Sequence, residues 1–140
     1  MHLIKLCVGI SSVRYLEQQR DKRLVAVEGM EGEFHVHRTR MRPKRGGEIV
    51  GRGSLFWVIK GAIRCRQPVV GLISTIDHNG KTCCDIVLQP ELTRTVPLPR
   101  RAFQGWRYLS DADAPADLNP DTGNDNDPDL AMELAELGLI

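Results

Sequence analysis

The sequence predicts an α+β fold: a small, strongly bent mixed β-sheet or partly closed β-barrel, with one N-terminal amphipathic helix and an acidic C-terminal tail. Three observations carry this expectation. Helical spacing of apolar residues occurs early in the chain, in Val13, Leu16, Leu24 and Val27. From Ser54 onward, short apolar runs alternate with turn signals, the texture of closely spaced strands. Gly53, Gly61 and Gly71 fall at or within those runs, where glycine permits the bulges and corners of a curved sheet.

The elements follow in order. Residues 1–10 read as a core strand: Lys5 interrupts the apolar run and no small-residue cleavage site follows it, which argues against a targeting role. Ser11-Ser12 offers an N-cap, and the spacing over residues 13–27, with Arg14, Glu17, Gln18, Arg20, Asp21, Lys22 and Arg23 interspersed, predicts one amphipathic helix. Gly29 and Gly32 mark a turn, and Phe34-His35-Val36-His37 alternates as a half-exposed strand does. Residues 38–52 are too charged for a core and are broken by Pro43, Gly46, Gly47 and Gly51, so they form a loop with one helical turn at its centre. Residues 55–59, 61–66 and 69–76 are strands. Asn79-Gly80 predicts a hairpin through a two-residue turn, because this dipeptide tolerates positive φ best. The return strand, Thr82–Leu88, then sets Cys84, Ile86 and Leu88 on one face and Cys83, Asp85 and Val87 on the other. Pro97 and Pro99 force an extended connection, and residues 103–109 supply a last strand or a tight aromatic corner.

Composition divides the chain. Its net charge of +1 conceals a segregation: residues 1–109 hold all 19 Lys and Arg against 9 Asp and Glu, a net +10, whereas residues 110–140 hold 9 acids and no cation, a net −9. The organisation expected is a basic domain over residues 1–109, a disordered acidic linker over 110–128 and a short helix over 129–140, spaced by Leu130, Leu134 and Leu137. At 140 residues a two-domain enzyme is not expected. A membrane helix is excluded, for no run approaches the roughly 18 apolar residues one needs. Cys7, Cys65, Cys83 and Cys84 contain no Cys-x-x-Cys pair and are expected as small buried hydrophobes in a reducing cytoplasm.

Three basic features point to nucleic acid. Arg38, Arg40 and Arg42 would share one face of an extended segment that continues through Lys44 and Arg45, a row suited to repeating phosphates. Lys60, Arg64 and Arg66 fall in one strand register if no bulge intervenes. Arg101, Gln104 and Arg107 mingle with Trp106 and Tyr108, the combination of charge and rings by which single strands are held. His35 and His37 share a strand face and would need His2 or a carboxylate to hold a metal; spacing fixes no third ligand, so neither metal nor cofactor is predicted. No Gly-x-Ser-x-Gly, Walker loop or dinucleotide fingerprint is present.

The blocks His2-Leu3-Ile4-Lys5-Leu6-Cys7-Val8-Gly9, Gly53-Ser54-Leu55-Phe56-Trp57-Val58-Ile59-Lys60-Gly61, Arg66-Gln67 and Arg101-Ala102-Phe103-Gln104-Gly105-Trp106-Arg107-Tyr108-Leu109 carry a resemblance. Over about residues 1–118 the chain resembles a bacterial family catalogued only as a domain of unknown function, number 1489. The order of its elements also looks like the PUA-like barrels, which include the ASCH and EVE domains. That second resemblance implies an RNA or nucleotide ligand and transfers no catalytic residue. The function expected is RNA binding by a cytoplasmic single domain, with Arg38, Arg40, Arg42, Lys44 and Arg45 on phosphates and Lys60, Arg64, Arg66, Arg101, Gln104 and Arg107 lining a cleft beside Trp106 or Tyr108. The rivals are a small enzyme acting on nucleotides or nucleic acid, with Lys60 as its catalytic group, and an interaction module that docks the C-terminal helix on a protein partner.

Overall fold

The computed structural model describes residues 1–21 and 23–118. In chain order these form β1 (His2–Leu6), α1 (Val13–Asp21), β2 (Val25–Ala26), β3 (Glu33–Thr39), a 3-10 turn (Gly46–Glu48), β4 (Ser54–Ile59), β5 (Ala62–Ile76), β6 (Thr82–Leu88), β7 (Thr93–Pro99) and β8 (Trp106–Leu109). The strands hydrogen-bond in the order β2-β3-β6-β5-β4-β1-β8, with β7 paired to β5 off this path.

This architecture corrects the expected α+β barrel. Among the described residues strand far outweighs helix, which is limited to one α-helix of nine residues. The chain enters through a strand, so that helix is internal and not N-terminal. The sheet is mixed, since β1 runs parallel to β4 while the other pairings are antiparallel, but it is open. The reason is local. After β3 the chain enters the Pro- and Gly-rich loop and reaches β8 by isolated bonds in place of a ladder: the Trp106 indole donates to the Met41 carbonyl at 2.7 Å, and the Arg45 amide donates to the Tyr108 hydroxyl at 3.1 Å.

β4 is the axis of the packing. All six of its residues are buried, as befits a strand covered on both faces and read in sequence as a continuous apolar run. Leu55, Trp57 and Ile59 join Leu3, Leu16, Cys65 and Leu88 on the face covered by α1. Phe56 and Val58 join Ile4, Ile63 and Leu109 on the other face, with Leu98 and Phe103 packed against them. One buried polar chain crosses the first core: the Trp57 indole donates to Gln67 Oε1 at 2.9 Å, and Gln67 Nε2 reaches His35 Nδ1 and the Gln89 carbonyl, each at 2.8 Å. Bonded this way, Gln67 and His35 are fully buried without orphaned donors on the amide.

Three local expectations shift. The helix stops at Asp21, not Val27, because Val25-Ala26 pairs with Phe34 and Glu33 as a short hairpin; β-branched Val25 and Val27 suit that better than a helix. The hairpin between β5 and β6 forms, but Gly80 alone takes positive φ (+79°), and Asp77 organises the turn: its carbonyl accepts from Gly80 N–H and its carboxylate from the amides of Asn79 and Lys81. Residues 69–76 and 61–66, read as separate strands, join from Ala62 onward in the single β5, which pairs in succession with β7 and then β6.

Candidate functional site

The predicted phosphate row is already engaged. Arg38 forks Asp85 at 2.7 and 3.1 Å, and that bond pushes its guanidinium pKa further up. Arg40 reaches Asp77 at 2.9 Å. Arg42 donates to the Leu72 carbonyl at 3.1 Å and Ser74 Oγ at 2.9 Å. Arg45 forks Glu48 at 2.6 and 2.8 Å, and its guanidinium lies 5.7 Å from the Tyr108 ring centre. Lys44 is exposed among them.

The second feature is broken by a bulge. Trp57 opposes Cys65 and Val58 opposes Ile63, so Arg64 is skipped in the ladder. Its Nε turns back onto the Ile59 carbonyl at 2.7 Å. Lys60 stands on the exposed β4–β5 turn at φ +52°. Arg66 forks Asp117 at 2.8 Å on both oxygens and also donates to Ser54 Oγ at 2.9 Å. Arg64 thus folds back on the turn that carries Lys60, reaching the Lys60 carbonyl at 3.5 Å, while Arg66 is held elsewhere by Asp117 and Ser54.

The third feature divides across the sheet. Trp106 packs into the core beneath α1 and meets Tyr108 edge-on at 4.9 Å, whereas Arg107, between them in sequence, points to the other face and lies 5.5 Å over Phe103. Arg101 joins Arg107 around a cavity of about 450 Å³; Gln104 is exposed nearby in the same loop. Trp57 is 1% exposed and cannot stack on a ligand.

A larger cavity, about 510 Å³, opens between α1, the β1–α1 loop and the inner face of the sheet. Lys5, Arg23, Gln19, Tyr15 and His37 border it, with Cys7 and Trp57 at its floor. α1 places its side because Ser12 Oγ caps the helix through the Tyr15 amide at 3.1 Å, burying Val13 and Leu16 while Tyr15 stays 41% exposed. His37 is held edge-on against Trp57 at 5.2 Å. No carboxylate among the described residues lines this cavity, so its two cations face the space with hydrogen-bonding groups of both kinds beside them. Among the described residues no group of three His, Cys, Asp or Glu is placed to hold a metal; His35 is bonded to Gln67 in the core, while half-buried His37 lies at the cavity.

Compared with protein-family models, residues 3–140 match a family described as proteins of unknown function, DUF1489. The chain belongs to that family. The DUF1489 match runs beyond the blocks that suggested it and takes in the acidic tail. No curated protein and no solved structure matches the chain. The PUA-like likeness therefore gains nothing from these comparisons, and the open sheet does not supply the barrel it implied.

In this DUF1489 chain the cavity residues escaped the sequence reading for identifiable reasons. Lys5 looks like an interruption in an apolar strand; paired with Trp57 on one side and Trp106 on the other, it is a cation set among indoles. Tyr15, Gln19 and Arg23 look like the wet side of a helix. Only their four-residue spacing, which aligns one stripe along α1 and just past it, was a signal.

Proposed function

We propose that this protein binds single-stranded RNA, taking one unstacked nucleotide into the cavity beneath α1. The observation that supports this reading is the lining: Lys5 and Arg23 for a phosphate, Gln19 and His37 for a base edge, and the exposed Tyr15 ring for stacking, around a volume suited to a nucleotide. Lys44, which forms no ion pair among the described residues, supplies a further phosphate contact. The engaged arginines 38, 40, 45 and 66 take a smaller part than their sequence suggested.

Fluorescence anisotropy with labelled single-stranded and duplex RNA, across a salt series, tests it. Affinity for the single strand falls steeply with salt. Tyr15→Ala weakens it by about 1–3 kcal/mol, the range for loss of one stacked base, and Lys5→Gln flattens the salt slope. Equal affinity for duplex and single strand, unchanged by either substitution, overturns the proposal.

Lys60, the candidate catalytic group of the rival enzyme reading, lines neither this cavity nor the one beside Arg107. The interaction-module reading rests on residues 129–140, which lie outside the described residues.

A further inference from the structure

On the sheet face opposite α1, Arg100, Arg101 and Arg107 surround the cavity of about 450 Å³, whose floor is Ile4 and Phe103. Three properties set it apart from the other arginine clusters. Among the described residues no carboxylate lines it. Two acids of the segment after β8 are engaged elsewhere: Asp111 by His2 Nε2 at 2.8 Å and the N-terminal amine at 3.5 Å, and Asp117 by Arg66. The scaffold is also fixed before any ligand arrives. The Arg100 amide donates to the Gly61 carbonyl at 2.9 Å, Pro99 pairs with Ala62, Arg107 opposes Ile4 in the β1–β8 ladder, and its guanidinium is stacked over Phe103.

Three like charges around an apolar floor repel one another, and an anion placed among them turns that repulsion into attraction, strengthened by the poorly polarisable wall. The charge count favours a doubly negative group over a singly negative one, and the volume leaves room for a flat organic body against Phe103 and Ile4. We propose that this cavity is a phosphate-monoester site, distinct from the cavity beneath α1, that selects a terminal phosphate over the diester of an internal backbone. A free mononucleotide and a 5′-phosphorylated RNA end both present that chemistry.

The test is titration of the full-length protein with AMP and with cyclic AMP, which carry the same base on a monoester and a diester, followed by calorimetry. AMP binds at least about tenfold more tightly, the worth of one charge-assisted hydrogen bond. Arg101→Ala, at an exposed position, and Arg107→Gln each remove that preference, while Lys81→Ala, on the distant β5–β6 turn, leaves it intact. Arg107→Lys, which keeps the charge and most of the stem over Phe103, separates a binding role from simple packing by retaining part of the preference. A short RNA with a 5′-phosphate and its 5′-hydroxyl counterpart then identify the source. A difference between them assigns the site to RNA ends; AMP selectivity without that difference assigns it to a free phosphate ester. Equal binding of AMP and cyclic AMP, no binding of AMP, or indifference to Arg101→Ala overturns the inference. Loss of Tyr15-dependent RNA binding with AMP selectivity preserved would remove the reading of the α1 cavity and leave this one standing.

Discussion

His2 shows how one side chain can join the two ends of the described chain. Its Nδ1 accepts the Ser54 amide at 2.9 Å, which puts the proton of the neutral ring on Nε2, aimed at Asp111 at 2.8 Å. Burial beside Phe56 pushes its pKa below the ordinary 6.5, aided by the N-terminal amine and Arg66, while Asp111 pulls it back up. The folded state therefore binds fewer protons at this ring than the unfolded chain does, and stability falls as pH drops from about 6.5 through the folded value. An NMR titration of the His2 ring protons gives a midpoint below 6.5, and Asp111→Asn lowers it further; a midpoint above 6.5, or a rise on that substitution, contradicts the assignment. Nothing in the sequence singled out this histidine beyond its offer as a third metal ligand. Its partners are 52 and 109 residues away, and pairings at that distance have no local signature. Phe56, Val58 and Leu88 were legible as core because their neighbours along the chain alternate or run apolar with them.

At the scale of elements, legibility follows how local the determining interaction is. The β5–β6 hairpin was readable because Asn79-Gly80 and the flanking alternation lie within a dozen residues. Its turn type was not, because the Asp77 carboxylate, held below its usual range by the Lys81 amide and Arg40, organises the loop with only Gly80 left-handed. Gly80→Ala therefore destabilises the protein by about 1–2 kcal/mol, the cost of forcing an L-residue into that region. Gly47→Ala, at ordinary φ with open space at the new methyl, leaves the urea midpoint unchanged or slightly raised. Equal midpoints for Gly80→Ala and the parent would mean that the turn readjusts. The end of α1 and the extent of β5 were misread for the complementary reason. Val25 is recruited by Phe34 across a loop, and residues 62–76 are unified by β7 and β6, both of which come later in the chain.

For the whole molecule, charge segregation located a real boundary in composition, but the chain does not leave the body at Leu109. Residues 110–118 turn at Ser110 and run along β7: the Val96 amide donates to the Ala116 carbonyl at 2.8 Å and the Leu118 amide to the Arg94 carbonyl at 2.9 Å, with Asp117 fastened to Arg66. Of the nine tail acids, Asp111 and Asp117 are thus spent on the fold, Asp113 belongs to the same segment, and six follow residue 118. Two deletions separate these roles. Removing residues 119–140 takes away six negative charges and leaves the fastened segment, so affinity for an arbitrary polyanion such as heparin rises at low ionic strength by about tenfold, within the range that long-range charge commands. The gain disappears toward 1 M salt, where the screening length is about 3 Å. Removing residues 110–140 strips the edge of β7 and the partners of Arg66 and His2 as well, so this form unfolds at lower urea concentration than the first. If the shorter deletion left heparin affinity unchanged at low salt, the six distal acids would have no bearing on the basic surface; if both deletions unfolded alike, the fastened segment would contribute nothing to stability.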